Sequence, residues 1–357
     1  MKRLGAMSKP QAPSRYREFQ RCTIDWCYAQ LYGRQHNGTK RFLVADEVGL
    51  GKTLIAQGVI GKLLNRKASH SIVYICSSLD IINQNRTKLD ISASPSSEQP
   101  GRITMIRAYG ASRKRTRFYF LTPGTSLFIK NSTGIVEERL YMAWLAKKIF
   151  GITDERAIEL FKCNASSFGN KFSDVRSYGF KRLGRTEYAK LQREWRILAK
   201  EIRHGSHTTC RATVTSMRLM LAKIMLESLD PDLIILDEFQ KFKDILMPSG
   251  SDKKNLCPIL VRPGVPTLML SATPYRLLSQ SGKSGGPDDV NHYREFKDVL
   301  AFLSNDLKTA DMLLKRIRKY GGSVQELAKN TLQSRLKQLL DEKRRLELCR
   351  SLKTSRV

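Results

Sequence analysis

Arg41-Phe42-Leu43-Val44-Ala45-Asp46-Glu47-Val48-Gly49-Leu50-Gly51-Lys52-Thr53 decides the fold. Residues 41–44 form a short apolar run with strand character, and Leu54-Ile55-Ala56-Gln57-Gly58-Val59-Ile60 can continue as a helix. A strand, a glycine-rich turn and a helix in that order make a phosphate cradle. Gly49 and Gly51 open backbone conformations closed to other residues, so that N–H groups can approach an anion. The helix start near Lys52 adds unpaired N–H groups and a positive dipole end. In such a cradle the ammonium of Lys52 reaches the outer phosphates, and the Thr53 hydroxyl is a ligand for Mg²⁺. Asp46 stands where the strict pattern has its first glycine, so this stretch needs support from elsewhere in the chain.

The 357 residues suffice for one large domain or two ordinary ones. No apolar run approaches the roughly 20 residues that span a bilayer. The start, Met1-Lys2-Arg3-Leu4, has no apolar stretch behind its charges. The expectation is a cytoplasmic protein with no membrane partner. Seven scattered cysteines without a C-x-x-C pair argue against a disulfide framework or a zinc ribbon. His204-x-x-His207-x-x-Cys210 is the one cluster of metal-ligand types, a single arm without a second. Lys and Arg outnumber Asp and Glu by 63 to 33, a formal charge of +30. That surplus favours a polyanionic partner, most simply nucleic acid, although a solvated basic surface has the same composition.

Along the chain, residues 1–13 read as a flexible basic arm. A first α/β part covers 14–91, with Gln20 in Arg17-Glu18-Phe19-Gln20 ahead of the glycine turn. The amide of Gln20 can offer both a donor and an acceptor to an adenine edge. Ser71-Ile72-Val73-Tyr74-Ile75-Cys76 reads as a parallel strand ending in Ser77-Ser78, with a helix over 79–89. Ile103-Thr104-Met105-Ile106 reads as a further strand, and 91–101 as a loop. The basic cluster Arg113-Lys114-Arg115 precedes Phe118-Tyr119-Phe120-Leu121-Thr122-Pro123.

Residues 92–225 are expected to be a basic, largely helical insertion, clearest over 141–149 and 190–202. Phe168, Phe172, Tyr178, Phe180 and Tyr188 interleave its cations. The mixture suits phosphate contact and base stacking, and it suits a helical surface covered by long cationic stems equally well. A second α/β part follows over 226–290. In it, Asp232-Leu233-Ile234-Ile235-Leu236-Asp237-Glu238-Phe239-Gln240 is an apolar strand ending in two acids. Asp237 would hold Mg²⁺ and Glu238 would activate a water. Acids at a strand end also serve as simple solvent-facing caps. Thr267-Leu268-Met269-Leu270-Ser271-Ala272-Thr273-Pro274 is another strand ending in hydroxyl residues, which as a bare sequence are turn formers. The segment 279–289 reads as a loop, and 291–357 as a helical basic tail, strongly charged over 334–348.

Gln20, Gly51-Lys52-Thr53, Asp237-Glu238-Phe239-Gln240 and Ser271-Ala272-Thr273 stand in one order. That series resembles the first RecA-like lobe of superfamily-two helicases. Asp46 to Thr53 is similar to the D-E-x-G-L-G-K-T turn of the Swi/Snf-type translocases. The resemblance covers roughly 14–91 and 226–280. It implies a parallel α/β sheet with helices on both faces, and ATP with Mg²⁺ as cofactors. By the same resemblance Asp46, Glu47, Val48, Gly49, Leu50, Gly51, Lys52 and Thr53 hold the phosphates, and Gln20 reads adenine. Thr53 and Asp237 hold Mg²⁺, while Asp237 and Glu238 activate water. Gln240, Ser271, Ala272 and Thr273 couple nucleotide state to nucleic-acid binding. Ser77 and Ser78, then Thr122 and Thr125 in Leu121-Thr122-Pro123-Gly124-Thr125-Ser126, match blocks that touch the nucleic-acid backbone, beside the cluster Arg113, Lys114 and Arg115.

Gln240 replaces the family's usual histidine, and Ser271-Ala272-Thr273-Pro274 is nearer the general superfamily pattern than the remodeller one. A second RecA-like lobe with arginine fingers is not recognisable after Thr273. The expectation is therefore the ATP-binding lobe of a nucleic-acid-dependent ATPase, acting on double-stranded DNA ahead of RNA, with a second lobe supplied in trans. Two other readings stay open. One is a non-catalytic nucleic-acid-binding protein with structural ATP, and the other is a truncated or split subunit that docks a partner protein.

Overall fold

The computed structural model describes residues 16–33, 39–45, 49–66, 69–89, 102–108, 116–127, 132–241, 255–271, 297–306, 308–313 and 315. The chain forms two compact units, 1–273 and 274–357. Five strands build the first: β1 (Arg41–Ala45), β2 (His70–Ile75), β3 (Thr116–Leu121), β4 (Leu233–Asp237) and β5 (Thr267–Ser271). Their order is β1-β5-β4-β2-β3, and every neighbouring pair is parallel. This is a RecA-like α/β sheet. Residues of β2, β4 and β5 are buried on both faces, as a parallel sheet covered by helices requires.

One face packs on α1 (Glu18–Tyr32), α2 (Lys52–Leu64) and α3 (Leu79–Lys88). Ile24, Cys27 and Leu31 recur at helical spacing on α1 and meet Ile55, Val59 and Leu63 of α2 over Val44, Ile72, Ile235 and Leu270. Gly58 sets the approach of the two helices. A Cβ there would lie 2.2 Å from Ile24 Cδ1, so any larger residue would push α1 off.

The insertion is helical: α4 (Val136–Phe150), α5 (Asp154–Lys162), α6 (Phe168–Ser173), α7 (Arg185–Trp195), α8 (Ala199–His204) and α9 (His207–Glu227). Its polar anchor is Glu138, fully buried on α4. It accepts from Arg218 at 3.0 Å, Arg102 at 2.9 Å, Thr104 at 2.6 Å and the Ile135 N–H at 3.0 Å. Five donors and acceptors thus close on one another where α4, α9 and the 102–104 segment meet, so the buried charge is compensated.

Three expectations are corrected. Ile103–Met105 is a 3-10 turn, not a strand. Ser126 Oγ accepts from the Ile103 N–H, a group that a ladder would have used, and the Thr104 hydroxyl donates to Glu138. The helix over 190–202 is broken by a 3-10 turn at Arg196–Leu198. Phe168, Phe172 and Phe180 are buried, with Phe168 stacked on Phe172 and Phe180 against Tyr141 and Trp144. They are core of the insertion and do not reach bases.

In the second unit the described residues form helical stretches at 297–304 and 308–313. Asp306 starts the latter by accepting from the Thr309 N–H at 2.9 Å, and Leu300 and Ala310 form a small buried pair. The arm 1–13, the segment 279–289, the stretch 334–348 and 91–101 lie outside the described residues.

Candidate nucleotide-binding site

In an all-parallel sheet the carboxyl ends of all strands share one edge, where ligands of open α/β folds gather. Ala45, Ile75, Leu121, Asp237 and Ser271 end their strands there. The glycine turn therefore leaves the same edge as the acidic pair. β5 lies between the strand that feeds the turn and the strand that carries the acids. Its register sets Ser271 beside Ala45, and Leu270 beside both Val44 and Asp237.

On the turn side, Gly51 is the N-cap of α2 in the left-handed region, with φ 85°. Gly51 has no side chain with which to cap this 13-residue helix, whose N-terminus carries the positive end of the helix dipole. Lys52 and Thr53 are its first two residues. Gln20, 30 residues earlier than Leu50, closes on the turn: its Nε2 donates to the Leu50 carbonyl at 3.1 Å, and its Oε1 accepts from the Arg17 N–H at 3.0 Å. A Cβ on Gly51 would sit 2.6 Å from Gln20 Nε2. Gln20 is thus at the cradle, with its amide committed to the loop rather than presented freely. Asp46, Glu47 and Val48 lie outside the described residues.

On the acid side, period-two alternation puts Leu233, Ile235 and Asp237 on the same face as Ile72 and Tyr74. Asp237 therefore points its carboxylate into an otherwise apolar surface. Tyr74 donates its hydroxyl to Asp237 Oδ2. Asn85 of α3 donates to the same oxygen at 3.1 Å and to the Tyr74 oxygen at 2.7 Å. Burial pushes the Asp237 carboxyl above the ordinary range; the Tyr74 hydrogen bond opposes this, the Glu238 charge adds to it, and the Lys52 charge opposes it. Burial beside Asp237 drives the Tyr74 phenol upward, so it remains a donor.

Glu238 adopts φ 52°, a left-handed conformation that costs a non-glycine residue energy and turns the chain sharply off the strand. Its Oε2 lies 2.6 Å from Lys241 Nζ and accepts from Ser77 Oγ at 3.5 Å. Sequence reading missed Tyr74, Asn85 and Lys241. The signal for Tyr74 was the strand parity that it shares with Asp237.

The other candidates divide. Ser271 is buried at the end of β5. Ser78 Oγ accepts from the Ile81 N–H at 3.3 Å, so it starts α3. Thr122 and Thr125 share a hydroxyl contact of 2.6 Å in the turn after β3, and Thr122 is buried while Thr125 is partly exposed. Arg113, Lys114, Arg115, Ala272 and Thr273 lie outside the described residues, as does the side chain of Gln240. Among the described residues no group of three or more His, Cys, Asp and Glu is placed to hold a metal ion.

These residues fit a magnesium-bound nucleoside triphosphate. An uncapped helix start follows a left-handed glycine, a lysine stands on the first turn, and a buried acid feels that lysine's charge.

Residues 14–134 match the family described as the type III restriction enzyme, res subunit. That is a superfamily-two helicase-like ATPase domain. The matched stretch holds Gln20, the glycine turn, Lys52, Thr53, Tyr74 and Asn85, and the acidic pair lies beyond it. No curated protein and no solved structure gives a significant match. A helicase-like domain points to ATPase activity dependent on nucleic acid, with ATP and Mg²⁺ as the cofactors such domains generally use. Among the described residues no helix is long and apolar enough to cross a membrane.

Proposed function

We propose that this chain is the ATP-binding lobe of a nucleic-acid-dependent ATPase of the helicase or translocase type, acting on double-stranded DNA. One observation carries the reading. The glycine turn with Lys52 and the pair Asp237-Glu238 leave one edge of the sheet, with the Ser271 strand between them.

Lys52 and Thr53, with the start of α2, would hold the phosphates, and Thr53 with Asp237 would hold Mg²⁺. The metal supplies charge to the phosphates and the triphosphate supplies the scissile bond. Tyr74 and Asn85 fix Asp237 Oδ2, and the Glu238 N–H also donates to this carboxylate. Glu238 would orient a water and take its proton once its carboxylate leaves Lys241, which holds it at 2.6 Å in the free protein. Gln20 would exchange the Leu50 carbonyl for an adenine edge. Ser271 would relay changes between the two halves. A second RecA-like lobe would add the arginine that such transition states use, worth about 10³–10⁵ in rate. The surplus of cations, 63 Lys and Arg against 33 Asp and Glu, agrees with a polyanionic partner.

The test is ATP hydrolysis by the purified chain with and without duplex DNA, beside Glu238→Gln. DNA-stimulated turnover that the variant loses is the expected result. Equal turnover in parent and variant would remove Glu238 as the base.

A further inference from the structure

The insertion carries a charge pattern that the ATPase reading does not use. Arg185, Arg193, Arg196, Lys200 and Arg203 are all exposed along α7, the 3-10 turn and α8. At about 100° per residue Arg185 and Arg193 lie within about 80° of each other on α7, and Lys200 and Arg203 within about 60° of each other on α8. Leu191, Trp195 and Ile202 lie on the opposite side and are fully buried. The acids of this segment, Glu187, Glu194 and Glu201, recur every seven residues on a flank away from the cations. Among the described residues only Arg193 of the five has an acidic neighbour, Glu194 at 3.8 Å. A merely solvated helix face intersperses its signs; this one sorts them.

The carrier is also held fast. Trp195 Nε1 donates to the Met217 carbonyl of α9 at 3.2 Å. Arg156 donates to the last carbonyls of α8, those of Glu201 at 2.7 Å and Ile202 at 2.9 Å. The Arg203 guanidinium rests over the Phe150 ring at 5.9 Å. From Arg185 to Arg203 the helical rise amounts to about 27 Å, and duplex DNA presents one charge per about 1.7 Å of axis. A cationic face of that length matches the spacing of several phosphates. Trp195 is buried, and the half-buried Tyr188 donates its hydroxyl to the Lys148 carbonyl at 3.2 Å. Phosphate contacts read backbone, not sequence.

We propose that the outward face of α7–α8 is a duplex-DNA backbone tether, separate from the sheet edge, that keeps the ATPase lobe on its track. It rests on the reading of DNA as the partner, and not on the nucleotide site.

The test is binding to a short labelled duplex DNA, without nucleotide, over a range of salt. It compares the parent, the triple variant Arg193→Ala/Arg196→Ala/Lys200→Ala, and a control in which Lys162, Lys171 and Arg176, exposed cations of other elements, become Ala. Equal thermal midpoints show that the folds are intact. The slope of log affinity against log salt should fall by about 2.7 in the triple variant, about 0.9 per phosphate contact, and hold in the control. An unchanged slope in the triple variant, or an equal fall in the control, overturns the tether. Stripe-dependent binding to duplex RNA but not to duplex DNA overturns it as well. Nucleotide is absent throughout, so failure of the ATPase reading leaves these outcomes untouched; that failure would appear in hydrolysis alone.

Discussion

The Tyr74 hydroxyl donates a hydrogen bond to the Asp237 carboxylate, from β2 to its neighbour β4, and Asn85 bonds both. The residue proposed to hold Mg²⁺ is therefore oriented from behind by a strand and a helix that precede it by more than 150 positions. Groups that orient a metal ligand contribute about 10–100-fold to metal affinity or activity. Tyr74→Phe keeps the ring in the core and removes only the donor. Mg²⁺-dependent affinity for ATP, titrated with the metal, should weaken by about tenfold or more, while metal-free nucleotide binding stays near the parent. Equal weakening with and without Mg²⁺ would make Tyr74 a packing residue only.

Asp237 also sets a pH dependence. Its carboxyl is raised, chiefly by burial, so the folded protein takes up the proton more readily than the unfolded chain. The contribution to stability is complete below the unfolded carboxylate value of about 3.9 and is lost as pH rises through the raised folded value. Asp237→Asn should raise the thermal midpoint of the free protein at pH 7, by a margin that narrows as pH falls through the raised value of Asp237. A variant less stable than the parent at pH 7 would contradict this.

The glycine turn after an apolar run and the two acids ending another were legible in the sequence, because each is a local pattern. The parallel sheet was expected from apolar runs followed by helices and from the family resemblance, and its central strands are buried throughout. The contact between Tyr74 and Asp237 was not legible, since strand order is needed to bring the two residues together. Ile103-Thr104-Met105-Ile106 misled because its apolar, β-branched look says nothing of Ser126 and Glu138, which capture its polar groups. Composition gave the aromatic residues of the insertion without their faces. Phe168 and Phe172 proved to be core, while the cations around α7 and α8 stand outward.

Gln20 offers a test of base recognition. Its amide now spans the Leu50 carbonyl and the Arg17 N–H. If it turns to adenine, Gln20→Ala should narrow the preference for ATP over GTP by about tenfold, as an unmade hydrogen bond of about 1–3 kcal/mol implies. Equal loss for both nucleotides in a competition assay would assign Gln20 to the loop alone.

Glu138 is the structural counterpart. Glu138→Ala strands Arg218, buried beside it, and Arg102. Breaking a buried ion pair by deleting one partner costs about 3–5 kcal/mol, and urea unfolding should show a loss of that size. A loss below about 1 kcal/mol, the scale of an exposed pair, would mean that water replaces the carboxylate.

The central claim is that Lys52 and the start of α2 hold a nucleoside triphosphate. Calorimetric titration of the parent, Lys52→Ala and Glu238→Gln with ATP and Mg²⁺ tests it most directly. The parent and Glu238→Gln should bind with similar affinity, and Lys52→Ala should show no binding. Parental affinity in Lys52→Ala, or no binding by any of the three, would contradict the nucleotide site itself.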